Sequence, residues 1–131
     1  MQQWIRRIGS GLILWAIPYG AAVPMLAYAK VSPLGFKAAE VSIAMVVQSA
    51  LLVWYFRPVT RDFLRQAILL AATWAVLNWL LDLIALLPLT HQSLPQYFRE
   101  IGIEYLAAGA FVVAVGAILD AKFRGSAPLH R

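Results

Sequence analysis

Four long apolar blocks, separated by charged residues and prolines, constrain this chain more than any other feature of its sequence. A helix of about 20 apolar residues crosses the roughly 30 Å hydrocarbon core of a bilayer. Only 13% of the 131 residues are charged, against about 25% in soluble domains. We therefore predict one all-α domain, residues 1–131, that forms an integral membrane four-helix bundle. The predicted spans are about residues 8–29, 33–56, 63–87 and 94–123.

Each block begins or ends at residue types that favour a helix boundary. Ser, Thr and Asp side chains cap the first unpaired N–H groups of a helix, and proline is tolerated at the first helical position. A serine followed three residues later by glutamine fits a capping box. The predicted boundary residues are Ser32 with Pro33, Thr60 with Asp62 in the first turn, Pro88 after the third span, and Ser93 with Gln96.

Lysines and arginines stand at the ends of the blocks, mostly on one side of the predicted membrane. An excess of basic residues in short loops marks the cytoplasmic side. We therefore expect both termini inside and a multi-pass protein of the cell inner (cytoplasmic) membrane. The net charge of +5 then reflects orientation and lipid contact, with no nucleic acid as a partner. The inner set is Arg6, Arg7, Arg57, Arg61, Arg65, Lys122, Arg124 and Arg131, and the outer set is Lys30, Lys37 and Arg99.

Three carboxylates on three different spans are predicted to lie at one depth. Glu40, Asp82 and Glu104 are each 17 or 18 residues from a basic residue at the inner end of the same span. A helix rises 1.5 Å per residue, so each carboxylate lies roughly 25–27 Å from the inner side. Asn78 stands one turn from Asp82 on the same helix face. These residues predict an outward-opening polar site of proton carriers or cation ligands.

A structural interpretation of the same residues stays open. Glu40 and Glu104 would reach the outer head groups, each paired with a neighbouring basic residue. Asp82 would form a buried hydrogen-bonded pair with Asn78, a tyrosine or a tryptophan, because polar side chains also hold membrane helices together. Gln48, near mid-membrane, completes the candidate set, and an interhelical hydrogen bond is its more common role.

Prolines and glycines predict how two of the spans pack. Pro18 and Pro24 interrupt the first span, and each frees a backbone carbonyl, so we expect a kinked helix that is packed against neighbours. Gly102, Gly109 and Gly116 recur every seven residues in the fourth span. They share one face, which would allow close approach of another helix.

The sequence favours no catalytic chemistry. It has no cysteine, and its two histidines, His91 and His130, fall outside the predicted spans, so we do not expect paired imidazoles to ligate a haem within the membrane. No phosphate-binding loop or metalloprotease motif is present. We expect a protein that is not an enzyme and needs no cofactor, with the question of a bound metal left open.

The third and fourth spans resemble a group of small four-span prokaryotic membrane proteins of undefined activity. The resemblance rests on Asn78-Trp79-Leu80-Leu81-Asp82-Leu83-Ile84-Ala85-Leu86-Leu87-Pro88, then Tyr97-Phe98, then Ile101-Gly102-Ile103-Glu104-Tyr105-Leu106, and in the first half mainly on Trp15-Ala16-Ile17-Pro18. It implies a four-helix fold and draws attention to Asn78 and Asp82. In that group a basic residue is associated with the position of Glu104, where it would pair with the aspartate.

Three hypotheses about function follow. The first is translocation of a proton, a small cation or a small solute by a homo-oligomer, because one four-helix bundle has little room for a pore. The second is an accessory or structural subunit of a larger membrane complex. A third, a sensor of lipid or membrane state, would use Arg57, Arg61 and Arg65. The first two differ in whether Asp82 faces water or an oligomer axis, or is instead buried against Asn78 or a partner chain.

Overall fold

Within residues 1–28 and 30–125, which the computed structural model describes, every regular element is helical. The predicted all-α fold class, with four apolar helices long enough to cross a membrane, is confirmed for this part of the chain. The chain is therefore a multi-pass membrane protein. The elements are α1 (Gln2–Tyr28), α2 (Pro33–Phe56), α3 (Phe63–Ala85), α4 (Leu87–Thr90), α5 (Leu94–Tyr97), a π-helical segment (Phe98–Gly102) and α6 (Ile103–Arg124).

The bounds of α2 match the predicted span, whereas those of α1 do not. α2 has the predicted bounds, and the Ser32 hydroxyl accepts a hydrogen bond from the Gly35 N–H at 3.1 Å ahead of Pro33. α1 begins at Gln2, so the helix extends well before the predicted span start at residue 8. The predicted end of that span, Ala29, lies outside the described residues.

The start and end of α3 correct two predictions. Thr60 is not its N-cap: Asp62 occupies that position, in the left-handed conformation with φ 57°, which aspartate adopts more readily than most residues. The helix ends at Ala85 rather than at residue 87. Pro88 lies in the first turn of α4, where a proline without N–H costs no hydrogen bond.

The fourth span is a composite of α5, the π-helical segment and α6. The Ser93 hydroxyl accepts from the Gln96 N–H at 3.4 Å, as a cap does. The Gln96 side-chain nitrogen, however, donates to Glu100 Oε1 at 3.1 Å. The helical path reaches Arg124, one residue beyond the predicted 123. Of the tail residues discussed above, His130 and Arg131 lie outside the described part.

The chain divides into two compact units, residues 1–57 and 58–131. In the first, α1 and α2 form an antiparallel hairpin. The Arg6 guanidinium donates to the Trp54 carbonyl at 2.6 Å, and Arg7 Nε donates to the Tyr55 hydroxyl at 2.9 Å. Trp54 is in the last turn of α2, where carbonyls have no helical partner, so Arg6 satisfies one of them.

In the second unit, α3 packs antiparallel against α6 through small residues. Gly109 faces Ala71, and a Cβ added at Gly109 would stand 3.7 Å from the Ala71 Cβ. Gly116 faces Ala67 so closely that an added Cβ would overlap the Ala67 Cβ and lie 3.0 Å from the Phe63 carbonyl oxygen. The buried residues of α3 follow a helical stripe: Phe63, Ala67, Leu70, Ala71, Trp74, Asn78 and Asp82.

Gly102, the third member of the glycine series, has a different environment. A Cβ added there would meet the Phe98 ring, whose Cδ1 lies 2.6 Å away. Its nearest neighbour is therefore a side chain of the same helical path, one turn earlier.

Replacement of Gly116 by alanine should destabilise the α3–α6 hairpin. The added methyl group overlaps Ala67 and a backbone oxygen that cannot rotate away, so we expect a loss of about 1–3 kcal/mol in the free energy of unfolding. Gly109→Ala is the matched control and should change it by no more than about 0.5 kcal/mol. Unfolding in mixed micelles with increasing SDS measures both. Equal stability of the two variants would contradict this packing.

Candidate intramembrane polar site

Asp82 is the centre of a buried hydrogen-bonded cluster in the second unit. Its side chain lies near the end of α3 and is only 3% exposed. The hydroxyls of Tyr97 and Tyr105 both donate to its Oδ2 atom, each at 2.7 Å. Hydrogen bonds to a carboxylate replace part of the hydration that burial removes. The cluster therefore supplies Asp82 with donors from the fourth span.

The π-helical segment explains how both tyrosines reach one oxygen. Tyr97 and Tyr105 are eight residues apart, which in a regular α-helix places them about 80° apart around the axis. A single π-turn takes up one extra residue, which leaves an offset of roughly 20°. The segment Phe98–Gly102 lies between the two tyrosines, so it brings them onto nearly the same face.

Trp79 holds the π-helical segment from the opposite helix. Its indole N–H donates to the Gly102 carbonyl at 3.0 Å, and its ring meets Phe98 edge-on, with ring centroids 5.7 Å apart. Gly102 is the last residue of the segment, where the regular bonding pattern of the helix is shifted. Trp79 and Asp82 are three residues apart and share one face of α3, so this face binds the fourth span twice.

Asn78 is buried one turn before Asp82. It is 1% exposed, and its side-chain nitrogen donates to the Trp74 carbonyl of the same helix at 2.7 Å. Asn78 and Asp82 thus share the buried stripe of α3, as their spacing indicates. Two tyrosines, one of the partner types that the structural interpretation names, therefore bind Asp82.

The remaining sequence-predicted residues lie elsewhere. Glu40 is half-buried and pairs with Lys37 at 3.5 Å within α2. Gln48, also in α2, is 2% exposed. Glu104 is half-buried in the first turn of α6, beside Tyr105. Glu40 belongs to the first unit, whereas Asp82 and Glu104 belong to the second. The common depth of the three carboxylates therefore stays a prediction.

The two prolines of the first span both lie inside α1, which is assigned as one helix from Gln2 to Tyr28. Around Pro18, the rings of Trp15 and Tyr19 stack with centroids 4.5 Å apart. A kink at either proline stays a prediction.

Sequence reasoning missed the aromatic partners and the arginine contacts. The sequence pattern does not single out Tyr97, Tyr105 or Trp79 as the partners, and it indicates only a topology role for Arg7, although Arg7 is 3% exposed. A usable signal exists in the hairpin geometry. A hairpin that turns near residue 31 places residue 7 opposite 55, and one that turns near residue 90 places residue 82 opposite 97.

No known protein family, curated protein or solved structure matches this chain. Among the described residues, no group of three or more His, Asp or Glu side chains is arranged to hold a metal ion. The interactions observed at the site are hydrogen bonds from two phenol hydroxyls to one carboxylate.

The bond between Tyr97 and Asp82 should contribute measurably to stability. Tyr97→Phe removes one hydroxyl and keeps the ring, so the free energy of unfolding should fall by about 1.5–3 kcal/mol, as for bonds to charged groups. In an Asp82→Asn background the same change should cost only about 0.5–1.5 kcal/mol, because the acceptor is neutral. SDS-induced unfolding measures the cycle. Tyr19→Phe serves as a control, and equal costs of Tyr97→Phe in both backgrounds would contradict the assignment.

The π-helical segment predicts opposite effects of deletion and insertion. Deleting the exposed Arg99 should convert the π-turn to α-helix and keep both tyrosines on one face. Inserting an alanine after Arg99 should turn Tyr97 by about 100° away from Asp82. Tyr97→Phe should therefore still destabilise the deletion variant and have no effect in the insertion variant, measured by the same unfolding assay. Destabilisation by Tyr97→Phe in the insertion variant but not in the deletion variant would exclude the π-turn as the element that aligns the two tyrosines.

Proposed function

We propose that the protein is an accessory or structural subunit of a larger membrane complex, and that Asp82 holds its second unit together rather than carrying an ion. The observation that carries this proposal is the closed environment of Asp82. The carboxylate is 3% exposed and accepts two tyrosine hydroxyls on one oxygen. A carboxylate that binds and releases a transported ion needs access to water, whereas a structural one needs partners.

The strength of the cluster supports a static role. Hydrogen bonds to a charged group contribute about 1.5–3 kcal/mol each. Release of Asp82 to a water-filled path would break two of them and would also disturb the aligned tyrosines. A cycle of transport would have to repeat this step at each turnover.

The surface of α1 supports contact with other membrane helices. Ala16 and Gly20 are exposed and four residues apart, and a Cβ added at Gly20 would have no atom within 4 Å apart from its chain neighbours and the adjacent backbone of α1. Small residues with this spacing let helix backbones approach closely in lipid. The proposed partners are other membrane subunits and the lipid bilayer.

The remaining features of the proposal come from the sequence. The distribution of basic residues supports cytoplasmic termini, and we propose the inner membrane as the location. We expect no enzymatic activity, no cofactor and no nucleic-acid partner.

A second candidate function is translocation of a proton, cation or small solute by a homo-oligomer. The observation in its favour is an ionisable side chain inside an apolar span, next to a π-turn. Intramembrane carboxylates often mark ion pathways, and π-turns occur frequently at functional sites. In this case a second copy of the chain would supply the missing path.

Reconstitution into liposomes separates the two candidates. We expect proton and cation flux no faster than in protein-free vesicles, for wild type and for Asp82→Asn alike, because Asp82 is closed to water. Flux in wild type that Asp82→Asn abolishes would overturn the subunit proposal and favour transport.

The assembly state in mild detergent provides the second test. Native mass spectrometry should find the chain in fixed ratio with chains of different mass. Gly20→Leu should reduce that association, because a large side chain separates the helices, whereas Val23→Leu on the same helix should not. A pure homo-oligomer that withstands Gly20→Leu would contradict the proposal.

A further inference from the structure

An open groove lies at the end of the second unit where α3 begins and α6 ends. Its volume is about 280 Å³, and its walls combine charged with aliphatic side chains. Two arginines and two aspartates line one part, and aliphatic residues of α3 line the rest. The residues that matter are Asp62, Arg65, Ile68, Leu69, Asp120 and Arg124.

The charged part of the groove is electrically balanced. Arg124 Nε contacts Asp120 Oδ2 at 2.8 Å, with the Arg124 side chain 77% exposed and the Asp120 side chain 11% exposed. Asp62, the N-cap residue of α3, and Arg65, in its first turn, are both exposed. Two positive and two negative groups line the groove, so a ligand with both charges is matched better than an anion alone.

The aliphatic part of the groove extends toward the membrane interior. Ile68 is six residues beyond Asp62, which corresponds to about 9 Å along the helix axis. Ile68 is 49% exposed, so its side chain can contact a ligand. A small soluble ion would gain nothing from this part, whereas the first carbons of a lipid chain would be buried against it.

We propose that this groove binds the head group of a zwitterionic phospholipid that carries a primary ammonium, such as phosphatidylethanolamine. The phosphate binds the guanidinium groups of Arg65 and Arg124, because arginine presents several donors to phosphate oxygens. The ammonium donates hydrogen bonds to the Asp62 carboxylate. The upper part of an acyl chain packs on Ile68 and Leu69.

The proposal predicts selectivity for N–H groups in the lipid. Protein in nanodiscs with equal amounts of phosphatidylethanolamine, phosphatidylcholine and phosphatidylglycerol is released and examined by native mass spectrometry. Retained lipid should be enriched in the ethanolamine form. Mono- and dimethylated ethanolamine lipids should still be retained, and the trimethylated choline form should not, because it has no N–H donor.

Variants locate the site. Asp62→Asn and Arg65→Gln should each reduce the enrichment by roughly threefold, the scale of an exposed charge pair. Asparagine is tolerated in the left-handed conformation of residue 62. Arg61→Gln is the matched control, because Arg61 is exposed and does not line the groove. Circular dichroism verifies that all three variants remain helical.

Four results would overturn the proposal. Preference for phosphatidylglycerol would assign the groove to anionic lipids, and equal retention of all three lipids would show no head-group recognition. An equal loss with Arg61→Gln would show that general basic charge is responsible. Soluble phosphoethanolamine distinguishes a lipid from a free phosphate compound: it should displace little lipid, since it lacks the acyl chain, and efficient displacement would likewise contradict a lipid site.

Discussion

The two hydrogen bonds donated to Asp82 govern the organisation of the second unit. In hydrocarbon a charged or polar group without a partner is costly, and water is not available to replace one. The tyrosine hydroxyls meet that requirement from the fourth span, at 2.7 Å each. Their alignment in turn depends on the π-turn between them. The backbone geometry of the facing helix thus matches the position of one side chain on α3, and the Trp79 N–H also binds the Gly102 carbonyl at the end of the π-helical segment.

Polar groups also need partners in the first unit, where the start of α1 meets the end of α2. The carbonyls in the last turn of α2 lack helical partners, and the Arg6 guanidinium binds that of Trp54 at 2.6 Å while resting over the Trp54 ring at 4.3 Å. Arg7 is buried and bound to Tyr55. These arginines therefore have a packing role in addition to their predicted role in membrane orientation. They join the start of α1 to the end of α2.

Much of the fold could be predicted because membrane spans are encoded locally. The length of each apolar block and the caps at Ser32 and Ser93 indicated the helices, and the bounds of α2 agree fully. The predicted N-cap at Thr60 was wrong. The N-cap is Asp62 in the left-handed conformation, and that conformation depends on how the chain turns into α3. The π-helical segment Phe98–Gly102 could not be predicted, because its residues also occur in α-helices and no local pattern specifies the extra residue of a π-turn.

For this protein the sequence alone determined that the chain spans the membrane with four helices, because the thickness of the hydrocarbon core sets the length of apolar helix that can cross it. It also drew attention to Asp82 and Asn78 as buried polar residues. Only the tertiary structure decided what Asp82 binds. Its partners lie 15 and 23 residues away on a facing helix, and the rotation of that helix depends on one extra residue in a π-turn, which no local pattern encodes.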